Sequence, residues 1–241
     1  MLKGLYAERT TEDVFLMATG AEINAITPEQ WKVIRATDSM AVNNFFYHPE
    51  FVPKWIHVEL KKYDGPLALE RLSEKWNLGW KNVGYVFPVD RSEYIKGCIP
   101  KGARIYNYAF NSRGEHPRLN PKVVVDANFD PNASLYKSYD SSMTTIFQIL
   151  YLMGYKRIIV MGATMRDSRY FWTGGEAIYG KVHHLFNKSH EHNDPGRAHN
   201  ASHIKDYVVD FHRRHMAPYG RSILVGHTNT ALYPELKLWT I

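Results

Sequence analysis

The sequence predicts an α/β fold of the Rossmann-like kind, a mostly parallel sheet with helices on both faces and an irregular lid-like insertion. Three observations predict it. The apolar run Asp13-Val14-Phe15-Leu16-Met17-Ala18 ends at Thr19-Gly20 and feeds a short segment of helical spacing, the usual opening of a nucleotide-binding domain. A helix expected over Ser141 to Met153 stops at Gly154 and passes through Tyr155-Lys156 into the strand Arg157 to Met161. Strand-like and helix-like segments alternate along the chain, which is how parallel strands are connected.

Each element has its own local reason. After the first strand, Ala21 to Ile26 carries turn-or-helix spacing until Pro28. A second strand is expected near Arg35 to Val42 and a third at Lys54 to Leu60. Gly65-Pro66 opens a helix over Leu67 to Trp76, where Leu67, Leu69, Leu72 and Trp76 share an inner face. Residues 79–119 are rich in Gly, Pro, Tyr and Asn and read as the insertion, with short strand candidates at Val83 to Phe87 and Ala103 to Phe110. Strand signals resume at Lys122 to Val125. The helix that begins Asp140-Ser141-Ser142-Met143 reads as capped and amphipathic. Residues 163–200 hold many His, Asn, Gly and Arg without periodicity, which suits a functional loop. Ser202 caps a helix to about His215, and Ser222 to Val225 is the last strand, ending at Gly226-His227-Thr228-Asn229. Residues 1–241 are expected to form a single domain.

Composition bounds the function. At 241 residues, 44% of them apolar and 14% aromatic, the chain can fill a sizeable core. It has no run of about 18 apolar residues, and its first residues lack the long apolar core of a secretory signal. A cytoplasmic protein is therefore expected. The single cysteine, Cys98, excludes an internal disulfide and a cysteine-based zinc cluster. A net charge of +6 and a pI near 9.2 give a mild preference for acidic ligands. The basic residues are scattered rather than run together, so nucleic acid is not an expected partner. Peripheral contact with a membrane face and oligomerisation stay open.

Four constellations could carry chemistry. The Thr19-Gly20 turn allows close backbone approach to a ligand, yet no full Gly-x-Gly-x-x-Gly follows, which argues against a dinucleotide dehydrogenase. Asn43-Asn44, ahead of Phe45-Phe46-Tyr47, offers paired amide donors and acceptors suited to a base or ribose, or alternatively an Asn-rich turn. The helix start at Ser141-Ser142, with Arg166, Asp167, Arg169 and Tyr170 just past the next strand, could stabilise a departing phosphate without a metal; capping alone would also explain the serines. The group His183, His184, His190, His192, His199 and His203, with Glu191 and Asp194 among them, could ligate zinc or iron, but no His-Glu-x-x-His occurs. One histidine poised as a general base is the preferred reading, and no metal or other cofactor is expected.

Five of these segments, in order, resemble a known family. Met17-Ala18-Thr19-Gly20-Ala21-Glu22-Ile23, Val42-Asn43-Asn44-Phe45-Phe46, Ser141-Ser142, Met153 through Gly162, and Ala198-His199 resemble the landmarks of the bacterial sialyltransferases of glycosyltransferase family 42. The same skeleton looks like that of the flagellin Maf glycosyltransferases and of archaeal 6-hydroxymethylpterin pyrophosphokinase relatives. The resemblance implies a CMP-sialic acid or similar nonulosonate donor, a glycan or other hydroxyl acceptor, inversion at the anomeric carbon and no metal requirement. It implies nucleotide contacts at Thr19, Gly20, Asn43 and Ser142, a base-binding segment at Asn229 and Thr230, phosphate contacts near Arg166 and Tyr170, and a general base at His199. Three positions depart from the family. Glu22 replaces a serine that meets the nucleotide, Arg166 replaces a phosphate-site tyrosine, and Tyr139 stands where the family has an acceptor-side arginine.

Two other classes remain open at this stage. Pyrophosphoryl transfer to a pterin-like alcohol would need Mg²⁺ held by carboxylates such as Asp126, Asp130, Asp167 and Glu22. A non-catalytic nucleotide or nucleic-acid binding module would show binding that weakens steeply with salt and no turnover.

Overall fold

A computed structural model of the chain describes residues 3–59, 72–89, 96–97, 99, 101–109, 135, 142–165, 169–173 and 204–241. Its frame is a seven-stranded sheet of β1 (Asp13–Met17), β2 (Asp38–Val42), β3 (Trp55–His57), β4 (Gly84–Pro88), β5 (Arg104–Tyr108), β6 (Arg157–Met161) and β7 (Ser222–Val225). The strand order is β5-β4-β3-β2-β1-β6-β7 and every pairing is parallel. Parallel neighbours require long crossovers, and the helices supply them on both faces.

The strands are apolar on both sides because both sides are covered. In β1, Val14 and Leu16 join one core cluster and Phe15 and Met17 the other, the period of two that a strand imposes. The first cluster packs under α3 (Ser142–Leu152), the helix at 204–211, which we label α4, and Leu5 of α1 (Lys3–Ala7). The second lies under α2 (Pro28–Arg35) and the short 3₁₀ turns at Ala21–Ala25, Asn43–Tyr47 and Trp80–Asn82.

Several expectations change at this level. α2 occupies a stretch to which the sequence reading assigns no element, apart from Arg35 at the expected start of a strand, and the second strand begins at Asp38 rather than near Arg35. Its start is a full capping box: the Thr27 hydroxyl accepts the Gln30 N–H at 3.2 Å and the Gln30 side chain accepts the Thr27 N–H at 3.0 Å, with Pro28 at the first helical position. The third strand is shorter than Lys54 to Leu60. Both strand candidates within 79–119 are strands, and they join the central sheet as β4 and β5 rather than standing apart from it. α3 is not amphipathic: all residues from Thr144 to Leu152 are buried, so it has no solvent face. Its end is as expected. Gly154, at φ +82°, donates to Tyr151 O at 2.9 Å while Tyr155 N–H reaches Leu150 O at 3.4 Å, the paired bonds that close a helix on a left-handed glycine. α4 continues through a π-helical turn, His212–Met216, close to the expected end at His215. Leu67 to Glu70, Cys98 and the strand expected at Lys122 to Val125 lie outside the described residues. Among the described residues no helix is long and apolar enough to cross a membrane.

The amino edge of the sheet is held by a buried carboxylate. Asp38, 2% exposed, accepts from Thr10 N–H and Oγ1 at 2.7 and 2.6 Å, from Tyr155 OH at 2.7 Å and from Lys54 Nζ at 2.7 Å. Burial raises its pKa, but those hydrogen bonds outweigh burial and hold the carboxyl below its usual range. A groove of about 550 Å³ opens beside this cluster, between Arg35, Glu50 and Asn82. Its ionic groups are largely engaged with one another, Asp38 with Lys54 and Arg35 with Glu50, so it reads as structure rather than as a reaction centre.

Candidate functional site

The order of the strands decides where a ligand fits. Chain progression moves away from β1 through β2 on one side and from β6 to β7 on the other, so the loops leaving the carboxyl ends of β1 and β6 part there. Thr19 and Gly20 lie at that divide. Gly20 N–H donates to Gly162 O at 2.7 Å and Ala18 N–H to Met161 O at 2.8 Å, so the two loops are laid against each other. Both glycines are needed for this. A Cβ on Gly20 would sit 2.5 Å from Gly162 O, and one on Gly162, at φ +66°, would sit 2.6 Å from the Ile23 side chain and 2.9 Å from Ala18 O.

Residues 169–171 return antiparallel along the same turn. Gly20 bridges Tyr170, Ala21 N–H donates to Arg169 O at 3.1 Å and Phe171 N–H to Thr19 O at 3.0 Å. Tyr170 is thereby fixed beside the turn, its ring stacked on Trp172 with centroids 4.6 Å apart and planes 7° apart.

The loop after β7 closes the other flank. Thr230 Oγ1 donates to Ala163 O at 2.6 Å and Ala231 N–H to Thr164 O at 2.8 Å, which ties this loop to the one leaving β6. The Thr230 hydroxyl thus shapes the flank. Asn229, exposed, donates from Nδ2 to Glu22 Oε1 at 3.0 Å, and Glu22 is 9% exposed. A carboxylate stands at the turn where the resembling family has a serine.

A second corner forms where β2, β3, β5 and α3 meet. Asn43 follows β2 directly and adopts φ 45°, a left-handed conformation that asparagine tolerates better than most residues. Its Oδ1 accepts the Glu59 N–H at 2.7 Å and its Nδ2 donates to Ser142 Oγ at 3.2 Å. Ser142 Oγ in turn donates to Glu59 Oε2 at 2.6 Å. The hydroxyl proton of Ser142 is directed at Glu59, so this hydroxyl is engaged within the corner. Tyr108 OH reaches Glu59 Oε1 at 3.3 Å and His57 Nε2 at 2.7 Å.

Glu59, His57 and Tyr108 escaped the reading of the sequence. The signal was present: in Trp55-Ile56-His57-Val58-Glu59 two ionisable residues stand two apart at the carboxyl end of an apolar strand, on one face. Asn44, next to Asn43, buries its Oδ1 without a hydrogen bond. Such a group normally finds a ligand or water.

His227 completes the edge beyond β7. Burial pushes its imidazole below the usual value, so the ring is neutral near pH 7, and its Nε2 is buried without a hydrogen bond. Arg166, Ser141, His199 and the other five histidines of the expected cluster lie outside the described residues, as do Asp126, Asp130 and Asp167. Among the described residues no three His, Cys, Asp or Glu side chains are grouped to hold a metal ion. Of the expected site residues, the structure therefore gathers Thr19, Gly20, Tyr170, Asn229 and Thr230 around the divide, and Asn43 with Ser142 at the adjoining corner.

No protein family profile and no curated protein matches this chain. Solved structures do. The chain is similar to the sialyltransferase CstII from Campylobacter jejuni in complex with a substrate analogue, cytidine-5'-monophosphate, with a TM-score of 0.51, 11% identity, and 94% of this chain and 84% of that chain covered. It is also similar to a point variant of the sialyltransferase Cst-II in complex with CMP, with a TM-score of 0.50, 10% identity, and 93% and 85% covered. At such identities the likeness shows the α/β fold. These neighbours lend nothing to the Maf glycosyltransferase or pterin pyrophosphokinase resemblances.

Proposed function

We propose that this chain transfers a CMP-activated sugar, sialic acid or a similar nonulosonate, to a hydroxyl acceptor with inversion and without a metal. The observation that carries the proposal is the crowding of Thr19, Gly20, Tyr170, Asn43 and Ser142 along the carboxyl edge on either side of the strand-order reversal. The fold likeness to a sialyltransferase that binds CMP supports the same choice of nucleotide.

The chemistry follows from where charge develops. As the bond from the anomeric carbon to the phosphate oxygen breaks, its electron pair stays on CMP and the sugar becomes oxocarbenium-like. Arg166, Tyr170 and the helix start at Ser142 would stabilise the departing phosphate. The acceptor oxygen attacks the opposite face of the anomeric carbon, and its proton passes to His199. Removing such a base costs about 100- to 10,000-fold in rate.

Thermal-shift measurement with CMP, UDP, GDP and ATP, each in EDTA and in Mg²⁺, tests the nucleotide. Stabilisation by CMP in EDTA is expected, since a ligand that binds only the native state raises its melting temperature. Release of CMP from CMP-sialic acid tests the reaction, with His199→Ala losing most turnover at nearly unchanged CMP affinity. Full activity in that variant removes His199 from the role. Loss in His227→Ala instead would move the role to the last strand. A response to ATP with Mg²⁺ and none to CMP would overturn the proposal in favour of pyrophosphoryl transfer.

A further inference from the structure

Building on the nucleotide reading above, we infer that Glu59 is a positioning residue of the donor site, acting through Ser142 and Asn43, with Tyr108 and His57 holding it from behind. An ionised carboxylate only accepts, and Glu59 sits where two hydroxyls converge: Ser142 Oγ at 2.6 Å on Oε2 and Tyr108 OH at 3.3 Å on Oε1. Ser142 gives its one proton to Glu59 and accepts from Asn43 Nδ2 at 3.2 Å. Tyr108 also has one proton. When it points to Glu59, the fully buried His57 must present a protonated Nε2 to the Tyr108 oxygen, 2.7 Å away. The chain then runs from His57 through Tyr108 to Glu59, and from Asn43 through Ser142 to Glu59.

Both arms end on the same carboxylate, and that makes the arrangement directional. The Asn43 amide is fixed at both ends, since its Oδ1 takes the Glu59 backbone N–H at 2.7 Å. Its orientation, normally ambiguous by a flip, is set by the donor on one side and the acceptor on the other. The Tyr108 ring is stacked on His57 with centroids 5.7 Å apart and planes 18° apart, so the rear arm is packed in place. The side chain of Glu59 is 17% exposed, which places it between this packed rear and the open edge. Replacing it by glutamine puts an N–H donor where a proton already arrives. Either Ser142 or Tyr108 must then turn away, and a turned Ser142 takes with it the Asn43 amide bonded to it.

The test is a double-mutant cycle on CMP affinity, measured by calorimetry on the full chain with wild type, Glu59→Gln, Ser142→Ala and the double variant. Glu59→Gln is expected to weaken CMP binding about tenfold, a typical effect of losing a charge-assisted hydrogen bond. In the Ser142→Ala background the same substitution should add little, because the group it acts through is gone. Effects that multiply, or a Glu59→Gln variant with wild-type affinity, overturn the inference while leaving the nucleotide reading intact. A wild-type protein that does not bind CMP removes the nucleotide reading and the inference built on it. Tyr108→Phe keeps the ring and its stack and removes only the oxygen, so it serves if Glu59→Gln fails to fold. About threefold weaker CMP binding is expected there, and unchanged affinity refutes the rear arm.

Discussion

Gly20→Ala tests the geometry on which the site rests. Gly20 has φ −71° and ψ 162°, which any residue can adopt, so its replacement carries no backbone strain. The whole cost is steric. The new Cβ would lie 2.5 Å from Gly162 O and 3.0 Å from Glu22 Oε2, and the first of these is backbone that cannot swing aside as a side chain can. Relief requires the loops leaving β1 and β6 to separate, which stretches the 2.7 Å bond from Gly20 N–H to Gly162 O. Overpacking of this kind costs about 1 to 3 kcal/mol, and loss of one buried hydrogen bond about 1 kcal/mol more. The total is about 2 to 4 kcal/mol. With unfolding entropy near 2.1 cal/mol/K per residue, about 0.5 kcal/mol/K for this chain, the melting temperature should fall by about 4 to 8 °C. CMP affinity should fall about tenfold as the turn is displaced. Calorimetric melting and CMP titration measure both, with Gly97→Ala as control, because a Cβ there meets nothing within 4 Å. A Gly20→Ala protein that melts within about 1 °C of wild type and binds CMP equally would show that the loops do not approach as described.

Two further perturbations act on buried ionisable groups elsewhere in the fold. Burial, and then the charges of Lys75 and Arg35, push the His48 imidazole down to about 4, and its Nδ1 accepts the N–H groups of Glu50 and Phe51 at 3.3 and 3.0 Å. The unfolded chain binds that proton near pH 6.5, so this contribution is complete above that pH and is lost as pH falls toward 4, by about 2 kcal/mol between pH 7.5 and 5. Urea unfolding of wild type and His48→Gln across this window should show a loss of stability smaller by about 2 kcal/mol in the variant; parallel curves would refute it. Asp38→Ala should cost about 3 to 5 kcal/mol, because it leaves Lys54, Tyr155 and Thr10 without their common acceptor. Its denaturation midpoint checks this, and a loss under about 1 kcal/mol would mean the cluster is solvated. In the wild type the stabilisation from Asp38, whose pKa is lowered, is present above about pH 4 and disappears as the carboxylate protonates below it.

Much of the architecture is legible in local sequence because local sequence encodes burial and backbone sterics. Five of the seven strands were expected almost where they stand, since an apolar run bounded by turn residues needs no knowledge of its neighbours. Gly154 and Gly20 announced themselves as a helix stop and a tight turn. The Thr27-Pro28-Glu29-Gln30 start of α2 is equally legible as a capping box, although the sequence reading assigns no helix there. The amphipathic reading of α3 failed for a different reason: polar-looking threonines and Gln148 are buried because the rest of the chain covers them, and coverage is a non-local fact.

Within the site, the chain by itself singled out Thr19, Gly20, Asn43, Ser142 and Tyr170 from turns, caps and placement after strands. It could not tell that Asn43 spends its amide on Ser142 and Glu59, or that Tyr108 and His57 stand behind that carboxylate. These residues are separated by as many as 99 positions and meet only because β2, β3, β5 and α3 end at one corner. Residue type fixes what a side chain can donate or accept. Strand order alone decides which partner stands within reach.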